Sequence, residues 1–312
     1  MPKLNGYDDK MLFGYKVDKE NDECAYNDEK HLYFSKSDGS PYISVTQLIH
    51  KYVPAFDADF WSSYKACESL LDISVFYDLK QKLLSTKRWK DEYLELYNIN
   101  KDTFLLKKAE ILQGYADKNK EACEHGSKVH EMMENMFYQK DETILKRFNF
   151  NGNVDVSKGY YKFDKERSVY PEILLSYSVD EYLKVCGQAD LIIKDGNDIW
   201  IYDYKTNSSI NKQSFYDKNT KRRDSLMFPL NNIQNSNYWI YSLQLSLYMY
   251  MIQQLHPSFK CKKLALIHID RDFNQTEYEC EYLKEDVARM LLDYRKKEKI
   301  RIELERDKPI IW

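Results

Sequence analysis

The sequence predicts an α/β fold (an α+β mixed sheet) with a helical region ahead of the sheet. From about Phe56 to Gln139 the chain is rich in long side chains and almost free of Gly and Pro, which indicates helices. Beyond Val169 the apolar residues recur with a period of two, which indicates strands. The length of 312 residues is ample for a sizeable core.

The N-terminal part predicts a hairpin followed by a short helix. His31–Ser35 and Pro41–Thr46 flank Asp38-Gly39, a pair that favours a tight turn. Ser44 or Thr46 could cap the helix that follows. We therefore expect an N-terminal hairpin and helix at residues 1–55, a helical region at 56–165 and a sheet core at 166–312, together forming one compact unit.

The second half of the chain predicts five strands and two helices. The predicted strands are Tyr170–Ser178, Tyr182–Ile193, Ile199–Lys205, Lys263–Ile269 and Thr276–Leu283, and the predicted helices are Tyr238–Gln254 and Glu285–Lys299. This order favours a mixed sheet flanked by helices. The connection Thr206–Asn237 is long for a compact domain, and such loops are usually functional or mobile.

Composition excludes some classes of protein. With 47 Lys+Arg against 50 Asp+Glu the net charge is -3, so overall basicity alone cannot hold nucleic acid, although a local basic groove could. Met1–Val17 lacks the apolar segment of a signal peptide, and Tyr238–Ile252 is too short and polar to span a bilayer. We therefore expect a cytoplasmic protein, in a bacterium or a host cell, with no membrane partner. None of the six cysteines forms a C-x-x-C pair, so we expect free thiols.

Acidic side chains and a lysine meet on two predicted strands. Alternation places Asp203 and Lys205 on one face of their strand. A lone Asp-x-Lys is more often a half-exposed salt bridge than a catalytic pair. The turn-rich connection between Ile193 and Ile199 predicts a hairpin that brings Asp190 near them. Two carboxylates beside a lysine could hold a hard cation such as Mg²⁺, or they could be unrelated acids on a solvated face.

The same alternation predicts how the strand with Asp190 is packed. Its apolar side chains would share one face, namely Leu183, Val185, Ala189, Leu191 and Ile193. Asp190 would then lie on the opposite face, beside Gln188 and Ile192.

Three further groups could belong to a site. His130 follows Gly126 by one turn at the border of an apolar helical stripe, where a histidine is usually structural. Gln244 and Tyr248 are spaced i, i+4 on a helix, which equally fits a polar edge. Glu172 could be an ordinary exposed strand acid.

Together these residues form a pattern of five motifs in order. The motifs are Gly126-x-x-x-His130, Glu172, Gly187-Gln-Ala-Asp190, Asp203-Tyr-Lys205 and Gln244-x-x-x-Tyr248. They resemble the RecB-like branch of the PD-(D/E)XK nuclease superfamily, which includes mitochondrial genome-maintenance exonucleases and phage and bacterial relatives. The likeness extends from about Ser44 to Lys299. Ala189 stands where the namesake proline would be, and the cysteines that bind an iron–sulfur cluster in some relatives are missing.

The resemblance implies a restriction-endonuclease-like core and metal-dependent hydrolysis of DNA. It implies Mg²⁺ or Mn²⁺ as the cofactor, with no iron–sulfur cluster. The metal ligands that it implies are His130, Asp190, Asp203 and the carbonyl of Tyr204. Lys205 would position the attacking water, with Gln244 and Tyr248 as partners of the lysine, the water or the DNA backbone. Glu172 would tune the site or help to bind a second metal.

The loop after the Asp203 strand carries a basic run that could contact DNA. Its residues are Lys218, Lys221, Arg222 and Arg223, and a solvated loop is an equally ordinary interpretation. A helical region that arches over the cleft, with this loop closing the other side, would admit one flexible strand more readily than a stiff duplex. Single-stranded ends are therefore the expected DNA partner, and the oligomeric state is open.

The resulting hypothesis is a DNA exonuclease that acts in replication, recombination or repair, with a phage source among the expectations. One alternative is a structure-specific or restriction-like endonuclease on the same core. The other is a non-catalytic DNA-binding or assembly protein that retains the fold. The intact set of Asp190, Asp203 and Lys205 argues against this last alternative.

Overall fold

The chain divides into two compact units. A computed structural model describes residues 23–27, 32–149, 155–156, 163, 165–217 and 221–306. The first unit consists of Met1–Pro54 together with Ser127–Trp312, and the second is Ala55–Gly126. In the part of the chain that is described, no helix has both the length and the apolar character needed to cross a membrane.

The N-terminal hairpin has the predicted position. It is formed by β2 (Leu32–Ser35) and β3 (Pro41–Ser44), and a further strand, β1 (Cys24–Asn27), pairs with β2. The second strand ends two residues earlier than predicted, because α1 (Val45–His50) begins at Val45. β2 and β3 pair antiparallel, and Gly39 in their turn has φ +70°, which glycine adopts without strain. Ser44, and not Thr46, caps α1: its hydroxyl accepts from Gln47 N at 3.1 Å, and the Gln47 side chain accepts from Ser44 N.

The stretch Phe56–Gln139 forms helices joined by short connections, as predicted. It contains α2 (Ala58–Leu70), α3 (Ile73–Thr86), α4 (Glu92–Leu96) and α5 (Lys101–Tyr138), followed by α6 (Glu142–Arg147). The second unit has its own core, which includes Phe60, Leu79, Leu83 and Phe104. The long helix α5 begins in the second unit and ends in the first, where its last turns carry His130.

The first unit contains the predicted mixed sheet. Its strands are β4 (Asp155–Val156), β5 (Arg167–Asp180), β6 (Leu183–Asp195), β7 (Asp198–Lys205), β10 (Lys260–Ile269) and β11 (Gln275–Cys280), with a small separate ladder of β8 (Tyr216–Asp217) and β9 (Arg222–Arg223). Helix α7 (Asn237–Leu255) joins β7 to β10, and α8 (Lys284–Arg306) follows β11. Among the described strands the order is β1-β2-β3-β6-β7-β10-β11, with β5 on β6 and β4 on β5.

The sheet packs on both faces. One buried cluster joins the sheet to α1, α7 and α8, and the other joins it to the end of α5 and to α6. Along β7, Ile199 and Ile201 lie in the first cluster, whereas Tyr202 and Tyr204 lie in the second, as the alternation predicts. Asp203 and Lys205 therefore project on the side of α7.

The predicted packing of β6 is wrong. Leu183, Val185 and Ala189 join the first cluster, but Leu191 and Ile193 join the second. β5 shows the same break, since Tyr170 and Ile173, three residues apart, both lie in the first cluster. Glu172, between them, has φ +49°, so the strand does not keep the regular extended backbone there. Asp190 lies across from Glu172, because the pairing runs from Pro171↔Leu191 to Ile173↔Ala189. The two acids thus occupy the position where the alternation reverses.

Candidate metal centre

The sheet changes partners beside Asp190. On one edge of β6, β3 pairs at Val185 and Cys186, and β7 pairs from Leu191 onwards, so that residues 187–190 lie between the two neighbours. Tyr204 N fills part of this gap by donating to Asp190 Oδ2 at 2.7 Å. Residues 187–190 of β6 therefore leave room at this edge of the sheet for side chains from other elements.

Gly187 allows close packing in this gap. A Cβ at Gly187 would lie 2.9 Å from Tyr248 Cε1 and 2.9 Å from Val45 Cγ2, closer than real contacts of this kind. The Tyr248 hydroxyl donates to the carbonyl oxygen of Gln188 at 2.7 Å. Any side chain at position 187 would push Tyr248 away from this bond.

Three ligand-bearing side chains converge at the gap. Nitrogen and carboxylate atoms of His130, Glu172 and Asp190 lie within 4.8 Å of one another. His130 Nδ1 is 3.1 Å from Glu172 Oε1 and 3.5 Å from Asp190 Oδ1. On the other side of the ring, His130 Nε2 is 3.2 Å from the carbonyl oxygen of Tyr204. His130 reaches this position because Val129, Met133 and Phe137 of the same helix are buried against the sheet.

Asp203 and Lys205 form a second group on the α7 side. Asp203 is 1% exposed, and its Oδ2 forms an ion pair with Lys205 Nζ. Gln244 Nε2 donates to Asp203 Oδ1 at 3.1 Å. Lys205 Nζ also lies 4.5 Å from the centre of the Tyr241 ring, a cation–π contact. The cluster of three potential ligands thus contains Glu172 and not Asp203. The Asp203 carboxylate is instead bound by Lys205 and Gln244. The ligand role that the resemblance gives to Asp203 remains a prediction.

The charges of the two groups influence one another. Burial raises the pKa of Asp190 and of Asp203, although His130 acts against this at Asp190 and Lys205 acts against it at Asp203. Burial alone would lower the pKa of His130, but the carboxylates of Asp190 and Glu172 outweigh it and raise the pKa to about 10. The acids likewise keep the pKa of Lys205 above its ordinary value, against the effect of burial. The carboxylates around the gap therefore stabilise positively charged groups within it.

The donor set fits a hard divalent cation. Carboxylate and carbonyl oxygens are the ligands that Mg²⁺ prefers, and a single imidazole nitrogen is compatible with Mn²⁺. The excess of acids that raises the pKa of His130 would stabilise a bound cation by the same attraction. The residues present therefore fit a metal of this class.

The basic loop is only partly described. Lys218 lies outside the described residues, while Lys221, Arg222 and Arg223 are exposed at the β8–β9 ladder. Arg223 is held in place, because its Nη1 donates to the carbonyl oxygen of Ser214 at 2.6 Å. The loop as a whole is anchored by Leu226, Leu230 and Ile233, which are buried in the first cluster.

Two residues of the site were not identified from the sequence. Tyr241 packs against Lys205 and lies three residues before Gln244, so helical spacing could have revealed it. Gln188 donates from Nε2 to the carbonyl oxygen of Glu172 at 3.0 Å. No sequence pattern signals this bond, because it depends on the unusual backbone of Glu172.

Two solved structures are similar to this chain at low identity. The crystal structure of SSO0001 is 15% identical, with a TM-score of 0.32, and the alignment covers 86% of this chain and 79% of that one. A "Putative exonuclease" from Eubacterium rectale is 15% identical, with a TM-score of 0.28, and the alignment covers 41% of this chain and 46% of that one. No curated protein matches the sequence.

A family model gives the decisive comparison. The model of the PD-(D/E)XK nuclease superfamily matches residues 92–306, more than half of the chain. The matched range includes both acid groups, Lys205 and the whole of α7. The mixed sheet with flanking helices agrees with the restriction-endonuclease-like fold of that superfamily. This chain therefore belongs to the PD-(D/E)XK nuclease superfamily.

Proposed function

We propose that this nuclease is a Mg²⁺- or Mn²⁺-dependent exonuclease that hydrolyses DNA from the free ends of single strands, in replication, recombination or repair. The observation that carries the proposal is the convergence of the half-buried His130 and Glu172 with the buried Asp190, next to the Asp203–Lys205 ion pair. Clustered buried acids are costly unless a cation balances them. Their retention beside a lysine supports hydrolysis in preference to DNA binding alone.

The metal ligands that we propose are His130, Asp190, Asp203 and the Tyr204 carbonyl. Glu172 would then have a positioning role: its carboxylate, 3.1 Å from His130 Nδ1, would accept a hydrogen bond from that nitrogen and leave Nε2, which lies beside the Tyr204 carbonyl, available as the metal ligand. When bound, the cation lowers the pKa of a water molecule and offsets negative charge that develops on the phosphoryl oxygens.

Lys205 would act on the attacking water and on the transition state. Its ammonium is held by Asp203 and by the Tyr241 ring, so little freedom is lost when substrate binds. A compact ammonium can approach both a water and a phosphoryl oxygen, which a planar guanidinium does less well. Gln244 supports this arrangement by fixing the other oxygen of Asp203.

The preference for single strands is supported by the loop after β7. Lys221 and Arg222 are exposed there and can contact phosphates. Phe215 is 65% exposed and Phe228 is 73% exposed in the same loop. Exposed aromatic rings next to cationic side chains are the usual means of binding unpaired bases without sequence preference.

The test is digestion of end-labelled linear DNA and of circular DNA, each single- or double-stranded, with Mg²⁺, with Mn²⁺ or with EDTA. We expect degradation of the linear single strand with either metal, resistance of the circle, and no hydrolysis in EDTA. Equal cleavage of circular and linear single strands would favour the endonuclease alternative. DNA binding with no hydrolysis under any metal would favour the non-catalytic alternative.

A further inference from the structure

A cavity of about 360 Å³ lies next to the acid groups, within the first unit. This volume is within the range of sites that bind small molecules. Its walls come from β1 and β2, from the start of α1, from β6 and from α7. Among the lining residues are Tyr26, Tyr33, Thr46, Gln47, Gln188 and Gln244.

The cavity is polar but uncharged. None of the described residues that line it carries a charge, and the polar groups are hydroxyls and side-chain amides. The rings of Tyr26 and Tyr33 lie side by side, with centroids 4.8 Å apart. An anionic terminal phosphate is normally held by Arg, Lys or other cationic groups. This lining instead suits a flat neutral group with donors and acceptors along its edge.

The cavity is connected to the acid groups by two glutamines. Gln188 lines the cavity and donates to the backbone of Glu172 at 3.0 Å. Gln244 lines it as well and donates to Asp203 at 3.1 Å. A molecule in the cavity is thus one side chain away from both parts of the metal centre.

We propose that this cavity binds an unpaired nucleobase of the DNA strand that is being cut. Amide side chains match the hydrogen-bonding edges of bases, and tyrosine rings match their faces. A base can enter such a cavity only when it is not paired, so the cavity would select single strands at the site itself. The inference rests on the proposed function, since it places the occupant beside the bond that is hydrolysed.

The test measures binding separately from hydrolysis. Single-stranded hexanucleotides, each with one abasic nucleotide at a different position, are titrated with the full-length protein in EDTA. We expect one position at which loss of the base weakens binding about fivefold or more, as expected for the loss of a stacked base. Thr46→Phe, at an exposed position in α1, should fill the cavity and abolish this position dependence.

Control variants keep the test decisive. His50→Phe places the same ring at another exposed position of α1 that does not line the cavity, and should bind as the wild type does. Tyr26→Leu, which removes one ring, provides a second variant if Thr46→Phe unfolds at a lower temperature. The inference is overturned if no position is sensitive, if both variants keep the wild-type pattern, or if an added terminal phosphate decides binding in place of a base.

Failure of this inference and failure of the proposed function give different results. Position-dependent binding without metal-dependent hydrolysis would uphold the base site and overturn the exonuclease. Hydrolysis of linear strands at the same rate with and without abasic nucleotides, together with uniform binding, would uphold the exonuclease and overturn the base site.

Discussion

Burial changes the behaviour of ordinary ionisable side chains at the candidate metal centre. Asp203 is almost fully buried. Its carboxylate forms an ion pair with Lys205 and accepts a hydrogen bond from Gln244, and the carboxylate of Asp190 helps to raise its pKa. On a solvated face the same Asp-x-Lys pair would be a weak surface ion pair. Beside the gap between β3 and β7, the pair instead holds the Lys205 ammonium in a fixed position next to several carboxylates.

Lys205→Ala should lose turnover while DNA and metal binding persist, because the role that we propose for the lysine is exerted mainly in the transition state. We expect a fall in kcat of roughly 100-fold or more, as when a single stabilising donor is removed from an active site. Hydrolysis of labelled linear single strands and filter binding of the same DNA measure the two effects. Lys263→Ala, which breaks an ion pair with Glu277 on β11, is the matched control and should cleave normally.

Near-wild-type cleavage by Lys205→Ala would mean that the lysine serves only as a salt-bridge partner of Asp203. Thermal unfolding of both lysine variants shows whether any loss of activity follows from instability alone.

Asp203→Asn and Glu172→Gln should separate a metal ligand from a residue that orients a ligand. Asp203→Asn removes the charge of a proposed ligand, so Mn²⁺ affinity measured by calorimetry should fall strongly and nuclease activity with it. Glu172→Gln keeps a hydrogen-bond acceptor for His130 Nδ1, so the loss of affinity should be smaller, within about 10–100-fold.

Asp198→Asn provides the control, since Asp198 lies at the other end of β7 and contacts Lys262. Wild-type Mn²⁺ affinity in Asp203→Asn, with a large loss in Glu172→Gln, would exchange the two assigned roles.

At the scale of secondary-structure elements, β6 organises the site because its neighbours change along its length. The strand pairs with β5 throughout, but its other edge passes from β3 to β7. The segment that pairs with neither β3 nor β7 on this edge carries Gly187, Gln188 and Asp190. Helix α7 covers this segment and supplies Gln244 and Tyr248 one turn apart, so β6 and α7 together contribute Asp190, Gln244 and Tyr248 to the proposed site.

Gly187→Ala should destabilise the first unit and displace Tyr248. The added methyl group would overlap Tyr248 and Val45, and overpacking of this kind costs about 1–3 kcal/mol. Urea denaturation measures the loss of unfolding free energy. Gly114→Ala in α5 is the control: its added Cβ would meet nothing within 4 Å, and the change should be neutral or stabilising. Equal stability of the two variants would mean that Tyr248 can shift without cost.

At the scale of the whole molecule, charge is distributed unevenly. Because the net charge is -3 and the candidate site is acidic, we expect affinity for DNA to come from local basic segments, and we propose Lys221 and Arg222 for this role. Binding that depends on a few phosphate contacts falls steeply with salt.

Arg222→Ala should weaken single-strand binding uniformly across sequences and reduce its salt dependence. For single strands the slope of log K against log salt changes by about 0.7 for each phosphate contact that is lost. Fluorescence anisotropy at several salt concentrations measures this slope. Lys262→Ala, near the start of β10 and paired with Asp198 at the end of β7 opposite Lys205, should leave the slope unchanged. An unaltered slope in Arg222→Ala would mean that the basic run is a solvated loop that does not contact the DNA phosphates.

Much of the fold follows from local pattern. The helical stretch, the strands beyond Val169 and the hairpin around Gly39 all follow from side-chain periodicity and turn preference, which are short-range steric properties. The same alternation places Asp203 and Lys205 together on one face of β7, and helical spacing places Gln244 and Tyr248 together on α7. The family is also readable from the order of these motifs.

Other features depend on pairing between distant segments. Sequence spacing alone does not show that β3 and β7 share one edge of β6, that Glu172 reverses the alternation at φ +49°, or that Glu172 joins His130 and Asp190 within 4.8 Å. Periodicity is set by neighbouring residues, so the sequence by itself determined the elements and the faces of β7 and α7, but not the faces of β6. The candidate metal centre and the cavity were decided only by the tertiary structure, because strand register and a strained residue are fixed by contacts between chain segments far apart in sequence.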